Sequence, residues 1–277
     1  MLLDEASVVV VMPVHDEEGL AGFLLEIDDF LLPLVGELRY VLVDDFSSAP
    51  VLDAVQVLPA HLLARIDVRR HDINLGHGPS VLHAYRAGLA LAPTVVLHVD
   101  GDGQFSGRDM PQLVATALEH GAAVGQRHSR QDPWFRAVIS WVARRVVDTA
   151  PSLSDVNSPM RAYRPCELVR LLDEVPARSL VPHLHFSRLH ESLGIHPVGQ
   201  RVRSLPRRGA SATGTTWGRH RRALPSSRLV EFSLRAFIEL VDDYPAPEPL
   251  SDSGAARGSV LPLQPPAPVP GPQASVA

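Results

Sequence analysis

The chain has 277 residues, which is enough for one large domain or two small ones. Its hydrophobic content of 45% and charged content of 21% are typical of a soluble globular protein, and a net charge of −5 argues against nucleic-acid binding through bulk electrostatics. Cys166 is the single cysteine, which excludes an intramolecular disulfide and a cysteine-based zinc site.

The N-terminal stretch MLLDEASVVVV is acidic and lacks the basic region that begins a signal peptide. Together with the single cysteine, it favours a reducing, cytoplasmic compartment. No apolar run reaches the length of about 18 residues that a membrane-spanning helix needs, so we expect any membrane contact to be peripheral. The sequence does not indicate an oligomeric state.

Apolar runs of strand length occur at 7–14, 39–45, 65–71 and 94–100. Three of them are almost continuous in valine and leucine, as in strands that are covered on both faces. Helical patterns at 17–32 and 78–91 lie between these runs. Strands that alternate with helices predict an α/β fold with a mainly parallel central sheet and right-handed crossovers.

Ligands of parallel sheets bind at the carboxyl ends of the strands, and acidic residues collect at these ends here. They occur in PVHDE (13–17), DD (44–45) and DGD (100–102). Asp100 and Asp102 would repel each other unless a cation lay between them. With Gln104 they offer the hard oxygen ligands that Mg²⁺ and Mn²⁺ prefer, whereas the alternative is a polar turn that ends a strand.

Four motifs in this order resemble those of the family 2 glycosyltransferases with the GT-A fold. They are PVHDEEG, LVDDFSS, NLGHGPSVLHAYRAG and VDGDGQF, against the family forms P-x-x-N-E-E, V-D-D-x-S, N-x-G-x-G and D-x-D-x-Q. Within the family, the sequence looks most like the dolichyl- and polyprenyl-phosphate mannose (or glucose) synthases over about residues 7–211. The resemblance implies a mainly parallel central sheet that is flanked by helices.

The resemblance also implies a role for each matching position. The nucleotide-sugar donor would be bound by Pro13, Val14, His15, Glu17, Asp45, Asn74, Gly76, Gly78, Asp100 and Gly101. Glu17 would accept hydrogen bonds from the ribose, and Asp45 would lie against the base. The alternative for Asp44 and Asp45 is a turn at a strand end. Asp100, Asp102 and Gln104 would hold Mg²⁺ or Mn²⁺ on the diphosphate, where the metal would stabilise the leaving nucleotide.

The pattern changes after about residue 125, where the resemblance implies an acceptor site. The stretch at 125–141 resembles a family segment, G-x-R followed by R-x-x-x-S, whose arginines hold the phosphate of a lipid acceptor. Arg127, Arg136 and Ser140 match it, and the last two share one face of a helix that the pattern predicts at 134–148. Aromatic residues beside them suit a membrane interface. The alternative is an ordinary core helix with a solvated basic edge.

The stretch SDVNSPMRAYR (154–164) resembles the family form D-x-x-x-G-x-R-x-[FY]. Asp155 would face the acceptor, as a base or as a positioning group, and Asp102, Asp155 and Arg136 are the predicted catalytic residues. Pro159 stands where the family usually has glycine, which leaves the geometry of this loop open. The alternative for Asp155 is the N-cap of a helix.

The stretch VRSLPRRGAS (202–211) resembles the family form H-x-x-R-x-x-G-x-S, although the histidine is missing. Arg207 or Arg208 would bind the diphosphate or the acceptor phosphate, and the spacing does not distinguish the two. The alternatives are a solvated basic loop and attraction to anionic lipid head groups.

Residues 1–243 are predicted to form a single GT-A domain, with a donor half at about 1–125 and an acceptor half at about 126–243. Further elements are predicted at 177–193 (helix), 196–202 (strand) and 227–242 (helix), and the proline-rich tail at 244–277 is predicted to be disordered.

The predicted function is an inverting, metal-dependent transfer of a sugar from a GDP- or UDP-sugar to a polyprenyl phosphate, with peripheral membrane contact and no nucleic-acid partner. A glycosyltransferase with a polysaccharide or small-molecule acceptor would share the donor site without needing Arg136 and Ser140. A non-catalytic nucleotide-sugar binding module is favoured by Pro159 and the missing histidine, and disfavoured by the intact Asp-x-Asp-x-Gln motif. A nucleotidyltransferase would need a glycine-rich loop with arginine or lysine after the first strand, which PVHDEEG does not supply.

Overall fold

The computed structural model describes residues 2–128, 153–208 and 227–242. The strands in these ranges are β1 (Ser7–Val14), β2 (Glu37–Asp44), β3 (Ile66–Arg70), β4 (Val95–His98), β5 (Ala122–His128), β6 (Arg161–Tyr163) and β7 (Val198–Arg203). Within the described residues they form one sheet in the order β3-β2-β1-β4-β6-β5-β7. β6 is antiparallel to its neighbours β4 and β5, and the other neighbouring strands are parallel. The predicted mainly parallel sheet is therefore confirmed.

The α-helices in the same ranges are α1 (Leu20–Leu31), α2 (Val51–Val55), α3 (Ala60–Leu63), α4 (His77–Leu89), α5 (Met110–His120), α6 (Pro165–Glu174), α7 (Pro182–Ser192) and α8 (Ser227–Asp242). The predicted helices at 17–32, 78–91, 177–193 and 227–242 correspond to α1, α4, α7 and α8. The helix predicted from 177 begins only at Pro182, because proline fits the first turn of a helix. Among the described residues, no helix combines the length and apolarity needed to cross a bilayer.

Two predictions concern residues that the structure does not describe. The helix predicted at 134–148, with Arg136 and Ser140, lies outside the described residues. The proline-rich tail at 244–277 lies outside them as well.

Apolar layers cover both faces of the sheet. Val8 and Val10 of β1 pack in the layer with α1 and α5, and Val9 and Val11 pack in the layer with α4, α6 and α7. Side chains alternate between the two faces along a strand, so a strand that is covered on both sides has to be apolar throughout. This explains the unbroken valine run of β1.

The strand order brings the acidic motifs to one edge of the sheet. β1 lies between β2 and β4, and all three run parallel. The segments that follow them, 15–17, 45–48 and 99–104, therefore leave the sheet side by side. This edge is where a parallel sheet binds its ligands.

Candidate active site

Three carboxylates form an acidic cluster after β1 and β4. Burial, and then the negative charge of Asp100, raise the pKa of Asp102 to about 7. Burial also raises the pKa of Glu17, against the opposing effect of a hydrogen bond from Arg207. Oδ1 of Asp100 is buried and accepts no hydrogen bond, and Nε2 of the His77 imidazole lies 3.6 Å away. The cluster therefore holds negative charge that the protein itself does not fully neutralise.

The carboxylates of this cluster could supply some of the ligands of a divalent cation. A cation would supply the missing partner for Oδ1 of Asp100 and relieve the repulsion that raises the pKa of Asp102. Gln104 follows in the same turn, where its backbone N–H donates to Oδ1 of Asp102 at 3.0 Å. In the described part of the chain, no three His, Cys, Asp or Glu side chains are grouped to hold a metal by themselves. The remaining positions would go to ligand oxygens and water, as is usual for Mg²⁺.

The segment after β1 is fixed by hydrogen bonds to the segment after β2. Pro13 and Val14 are buried residues of β1 itself, and their contact with a donor stays a prediction. Nδ1–H of His15 donates to the carbonyl of Asp45 at 2.9 Å. Asp16 has a φ of 52°, and its carboxylate accepts from the backbone N–H of Ser48 at 2.7 Å. These bonds present His15 and Glu17 at the edge of the sheet.

Asp44 and Asp45 have different tasks. Asp44 is buried and accepts from Ser47 N–H at 2.8 Å and from Arg70 at 2.5 Å. Burial alone would raise the pKa of Asp44, but the hydrogen bonds from Ser47 and from the backbone N–H of Val51 lower this pKa below its usual range. Asp44 therefore matches the interpretation as a turn at a strand end.

Asp45 instead supports the loop before α4. Its carboxylate accepts from the backbone N–H groups of Leu75 and Gly76 at 2.8 and 2.9 Å, and from His71 at 2.9 Å. It is only 4% exposed. Its contact with a base stays a prediction.

The loop at 74–78 uses its two glycines differently. Gly76 has a φ of 91°, which favours glycine, and its N–H also donates to the side chain of Asn74 at 3.1 Å. Gly78 packs so closely that a Cβ would lie 2.0 Å from the carbonyl oxygen of Ser179. Gly78 thus serves the packing of α4, and Gly101 likewise packs against the end of β1.

A strap at 204–208 covers the turn that carries Asp102. Leu205 N–H donates to the carbonyl of Gln104, and Arg208 N–H donates to the carbonyl of Asp102, both at 2.9 Å. The arginine side chains then diverge. Arg207 binds the carboxylate of Glu17, whereas Arg208 binds Glu26.

The two arginines, which the spacing could not distinguish, are thus separated by the fold. The guanidinium carbon of Arg208 lies 5.2 Å from the ring centroid of Phe23 in α1. Arg207 joins the acidic cluster, so it is the arginine next to the predicted donor site.

Arg127 and Asp155 form a partly buried ion pair on the predicted acceptor side. Nε and the second guanidinium nitrogen of Arg127 donate to the two carboxylate oxygens of Asp155 at 2.5 and 3.1 Å. Gln126 accepts from the backbone N–H of Asp155 at 2.7 Å. Asp155 begins a turn that is closed by Ser158 N–H, so it does not cap a helix. The guanidinium carbon of Arg127 lies 5.8 Å from the ring centroid of Phe105, which links this pair to the Asp102 turn.

Arg161 is a supporting residue that the sequence reasoning missed. It is fully buried, and its hydrogen bonds go to the carbonyls of Val156 and Ser158 and to the hydroxyls of Tyr163 and Ser187. These bonds hold the segment that carries Asp155. The family form quoted for 154–164 contains this arginine, and that was the available signal.

The comparison with protein families gives one match. Residues 9–164 match the model described as Glycosyl transferase family 2. This range includes the acidic cluster and the Arg127–Asp155 pair. Arg207 lies beyond it.

Two named relatives share part of the sequence. Undecaprenyl-phosphate 4-deoxy-4-formamido-L-arabinose transferase from Proteus mirabilis (strain HI4320) is 35% identical over an alignment of 167 residues, and the match covers 57% of this chain and 49% of the relative. The protein of the same name from Enterobacter sp. (strain 638) is 30% identical over the same lengths. The chain thus spans about half the length of these relatives.

Solved structures share the fold. Glucosyl-3-phosphoglycerate synthase from Mycobacterium tuberculosis, in complex with Mn²⁺, UDP-glucose and glycerol 3-phosphate, has a TM-score of 0.58 at 15% identity, over 88% of this chain and 82% of that one. The mannosyltransferase PcManGT from Pyrobaculum calidifontis, in complex with GDP-Man and Mn²⁺, has a TM-score of 0.50 at 19% identity, over 74% and 59%. The fold is therefore that of the GT-A glycosyltransferases.

Proposed function

Because the chain belongs to glycosyl transferase family 2, we propose that it transfers a sugar, with inversion and with a divalent metal, from a nucleotide-sugar to a polyprenyl phosphate. The observation that carries this proposal is the acidic cluster of Glu17, Asp100 and Asp102 at the ligand edge of the sheet. An unpartnered carboxylate oxygen and a raised pKa are what a site for a metal and a diphosphate needs before its ligands arrive.

On the donor side, Asp100, Asp102 and Gln104 would hold the cation. When bound, a divalent cation neutralises the diphosphate and stabilises the charge that it gains on leaving. Arg207 forms an ion pair with Glu17 beside this site. When the donor binds, an oxygen of the diphosphate would replace the Glu17 carboxylate as the partner of the Arg207 guanidinium. Glu17 would then be released to accept hydrogen bonds from the ribose.

On the acceptor side, Arg127 would bind the phosphate and Asp155 would fix the orientation of its guanidinium. A phosphate monoester is largely ionised near neutral pH, so the acceptor needs no strong base. Arg136 and Ser140 are also proposed to bind this phosphate, and this part of the proposal rests on the sequence alone.

The reaction is a single displacement at the anomeric carbon. An acceptor phosphate oxygen forms the new bond while the bond to the diphosphate breaks on the opposite side, and the bonding electron pair leaves with the nucleoside diphosphate. The configuration inverts, and no covalent intermediate with the protein forms.

The names of the two relatives support a polyprenyl phosphate as the acceptor. Such a lipid lies in a membrane, so the proposal places the working protein in peripheral contact with the membrane surface on its cytoplasmic side. Structures of the same fold hold Mn²⁺ with either UDP-glucose or GDP-mannose, so both kinds of donor belong in the test.

The test is transfer from a panel of UDP- and GDP-sugars to a short, water-dispersible polyprenyl phosphate, with Mn²⁺, with Mg²⁺ and with chelator. We expect a lipid-linked sugar that forms only with metal. Donor hydrolysis without lipid product would refute the lipid acceptor and favour a polysaccharide or small-molecule acceptor. No turnover with any donor would favour a non-catalytic binding module.

A further inference from the structure

A buried histidine connects the donor strand to the acceptor loop. His98 is the last residue of β4, two positions before Asp100, and its side chain is fully buried. Its Nδ1 lies 2.6 Å from the carbonyl oxygen of Pro159. Since a carbonyl only accepts, Nδ1 carries the proton and donates the hydrogen bond.

The remaining contacts of His98 do not need an imidazole. Its ring stacks on Tyr85 with a centroid distance of 4.9 Å and meets His183 edge-on at 4.7 Å. Nε2 is buried and has no hydrogen-bond partner. A phenyl ring would make the same aromatic contacts without a buried, unpartnered nitrogen, so the bond to Pro159 is the feature that requires histidine here.

Pro159 belongs to the loop that orients the Arg127–Asp155 pair. Side chains also hold the carbonyls on the preceding part of this loop, because Arg161 donates to Val156 and to Ser158, both at 2.7 Å. These supports come from β6, whereas His98 supports the loop from β4. The bond therefore ties the Asp155 loop directly to β4, the strand that precedes Asp100.

We propose that His98 is a positioning residue for the acceptor, a role that rests on the proposed function. Through Pro159 it sets the distance between the Arg127–Asp155 pair and the carboxylates of Asp100 and Asp102. Proline replaces the family glycine at this position, and the donor on His98 fixes the altered loop. A loop that is free by even a fraction of an ångström would meet the acceptor phosphate less well while leaving the donor site intact.

The test compares variants that keep or lose the donor at Nδ1. In His98→Asn the amide nitrogen is attached to Cγ, as Nδ1 is, so the bond can form; in His98→Gln it is attached one atom further out. His98→Phe keeps the aromatic contacts alone. We expect the acceptor KM to rise about 10-fold in the Gln and Phe variants, the range for loss of a supporting hydrogen bond, and to stay near wild type in the Asn variant.

A merely structural role predicts another pattern. It would make the donor and acceptor KM rise together and would make the thermal stability of His98→Phe fall in step with activity. We expect the donor KM to change by less than about twofold and His98→Phe to lose little stability, because removal of the unpartnered Nε2 offsets the cost of leaving the Pro159 carbonyl without its donor. An unchanged acceptor KM in His98→Gln, or equal losses for donor and acceptor, would overturn the proposal.

Amide hydrogen exchange separates this inference from the proposed function. Asp155 N–H donates to the side chain of Gln126, and Ser158 N–H donates to the carbonyl of Asp155. We expect the protection of both N–H groups to fall in His98→Gln and to persist in His98→Asn. If wild type transfers no sugar to polyprenyl phosphate, the proposed function fails, while this pattern still supports His98 as the anchor of the loop. Equal protection in both variants would overturn the anchoring itself.

Discussion

Two groups of ionisable side chains near β4 are treated in opposite ways by the fold. The acidic cluster, Glu17, Asp100 and Asp102, leaves one carboxylate oxygen without a partner. Arg161, in β6 beside β4, is more deeply buried, and its guanidinium donates to four neutral oxygens of the protein. Protein oxygens thus satisfy the guanidinium of Arg161, whereas one oxygen of Asp100 in the acidic cluster has no partner in the protein. On the proposed function, this difference separates a group that supports the structure from a group that would bind a ligand.

The largest expected effect is on the acidic cluster. Asp102→Asn should lower transfer more than about 100-fold, since even outer partners of metal ligands contribute 10–100-fold. In chelator at about pH 8, the same variant should be more stable than wild type. The pKa of Asp102 is raised to about 7, by burial first and then by Asp100, so its folded-state charge is unfavourable at that pH. Activity assays and thermal melts with chelator measure the two effects.

The matched control is Asp53→Asn, which changes an exposed carboxylate in α2. It should alter neither activity nor stability by a measurable amount. If Asp102→Asn kept its activity, or if it destabilised the metal-free protein, the assignment of the acidic cluster to a cation would be wrong.

Arg161→Met tests the supporting role of the buried arginine. It leaves the buried carbonyl of Ser158 without its donor and removes one of the two donors to the carbonyl of Val156, so the free energy of unfolding should fall by about 1–3 kcal/mol. Arg164→Met is the control, because Arg164 is partly exposed and paired with Glu167 at the surface, where such a pair contributes about 0–1 kcal/mol. Urea unfolding measures both. Equal losses in the two variants would contradict the supporting role of Arg161.

The sequence predicted those parts of the molecule that follow from local pattern. The valine runs gave the strands at the centre of the sheet, and the acidic residues after them gave the edge on which the site forms. β5 and β6 were missed because Ala122–His128 contains a glycine and polar residues, and Arg161–Tyr163 is only three residues long. Neither segment carries a periodic signal strong enough to predict a strand.

Side-chain partners could not be predicted, because they depend on tertiary contacts. Arg127 and Asp155 were separate candidates in sequence, whereas the fold joins them across 28 positions. Arg207 and Arg208 are adjacent in sequence and bind carboxylates on different elements. Buried Arg161 was passed over because an arginine in a loop-like stretch is usually exposed.

Substitution of the two strap arginines sharpens the comparison within a single segment. Arg207→Ala should raise the donor KM about 10-fold, the lower end for a hydrogen bond between charged groups, with little change in stability. Arg208→Ala should lower stability by roughly 1 kcal/mol, because it loses Glu26 and the face of Phe23, and should leave the donor KM nearly unchanged. Steady-state kinetics and thermal melts on both variants decide this. A rise of the donor KM in Arg208→Ala alone would reverse the assignment.

The most gradual expected effect is the pH dependence that the imidazoles near Arg161 give to stability. Burial, and then neighbouring positive charge, lower the pKa of His183 and His190 well below the usual value of 6.5. Both side chains thus stay neutral in the folded protein at pH values where the unfolded chain takes up protons. Their contribution to stability is complete above pH 6.5 and is lost as the pH falls below it.

Each of these histidines should therefore lower the free energy of unfolding by up to about 1.4 kcal/mol per pH unit below this value. Urea unfolding at a series of pH values gives the slope of the free energy of unfolding against pH. His190→Phe should reduce this slope by the contribution of one histidine. The variant and wild type are compared first at about pH 8, where both states of His190 are neutral, so any constant difference in packing is subtracted. An unchanged acid slope in His190→Phe would mean that protonation of other groups governs the loss of stability in acid.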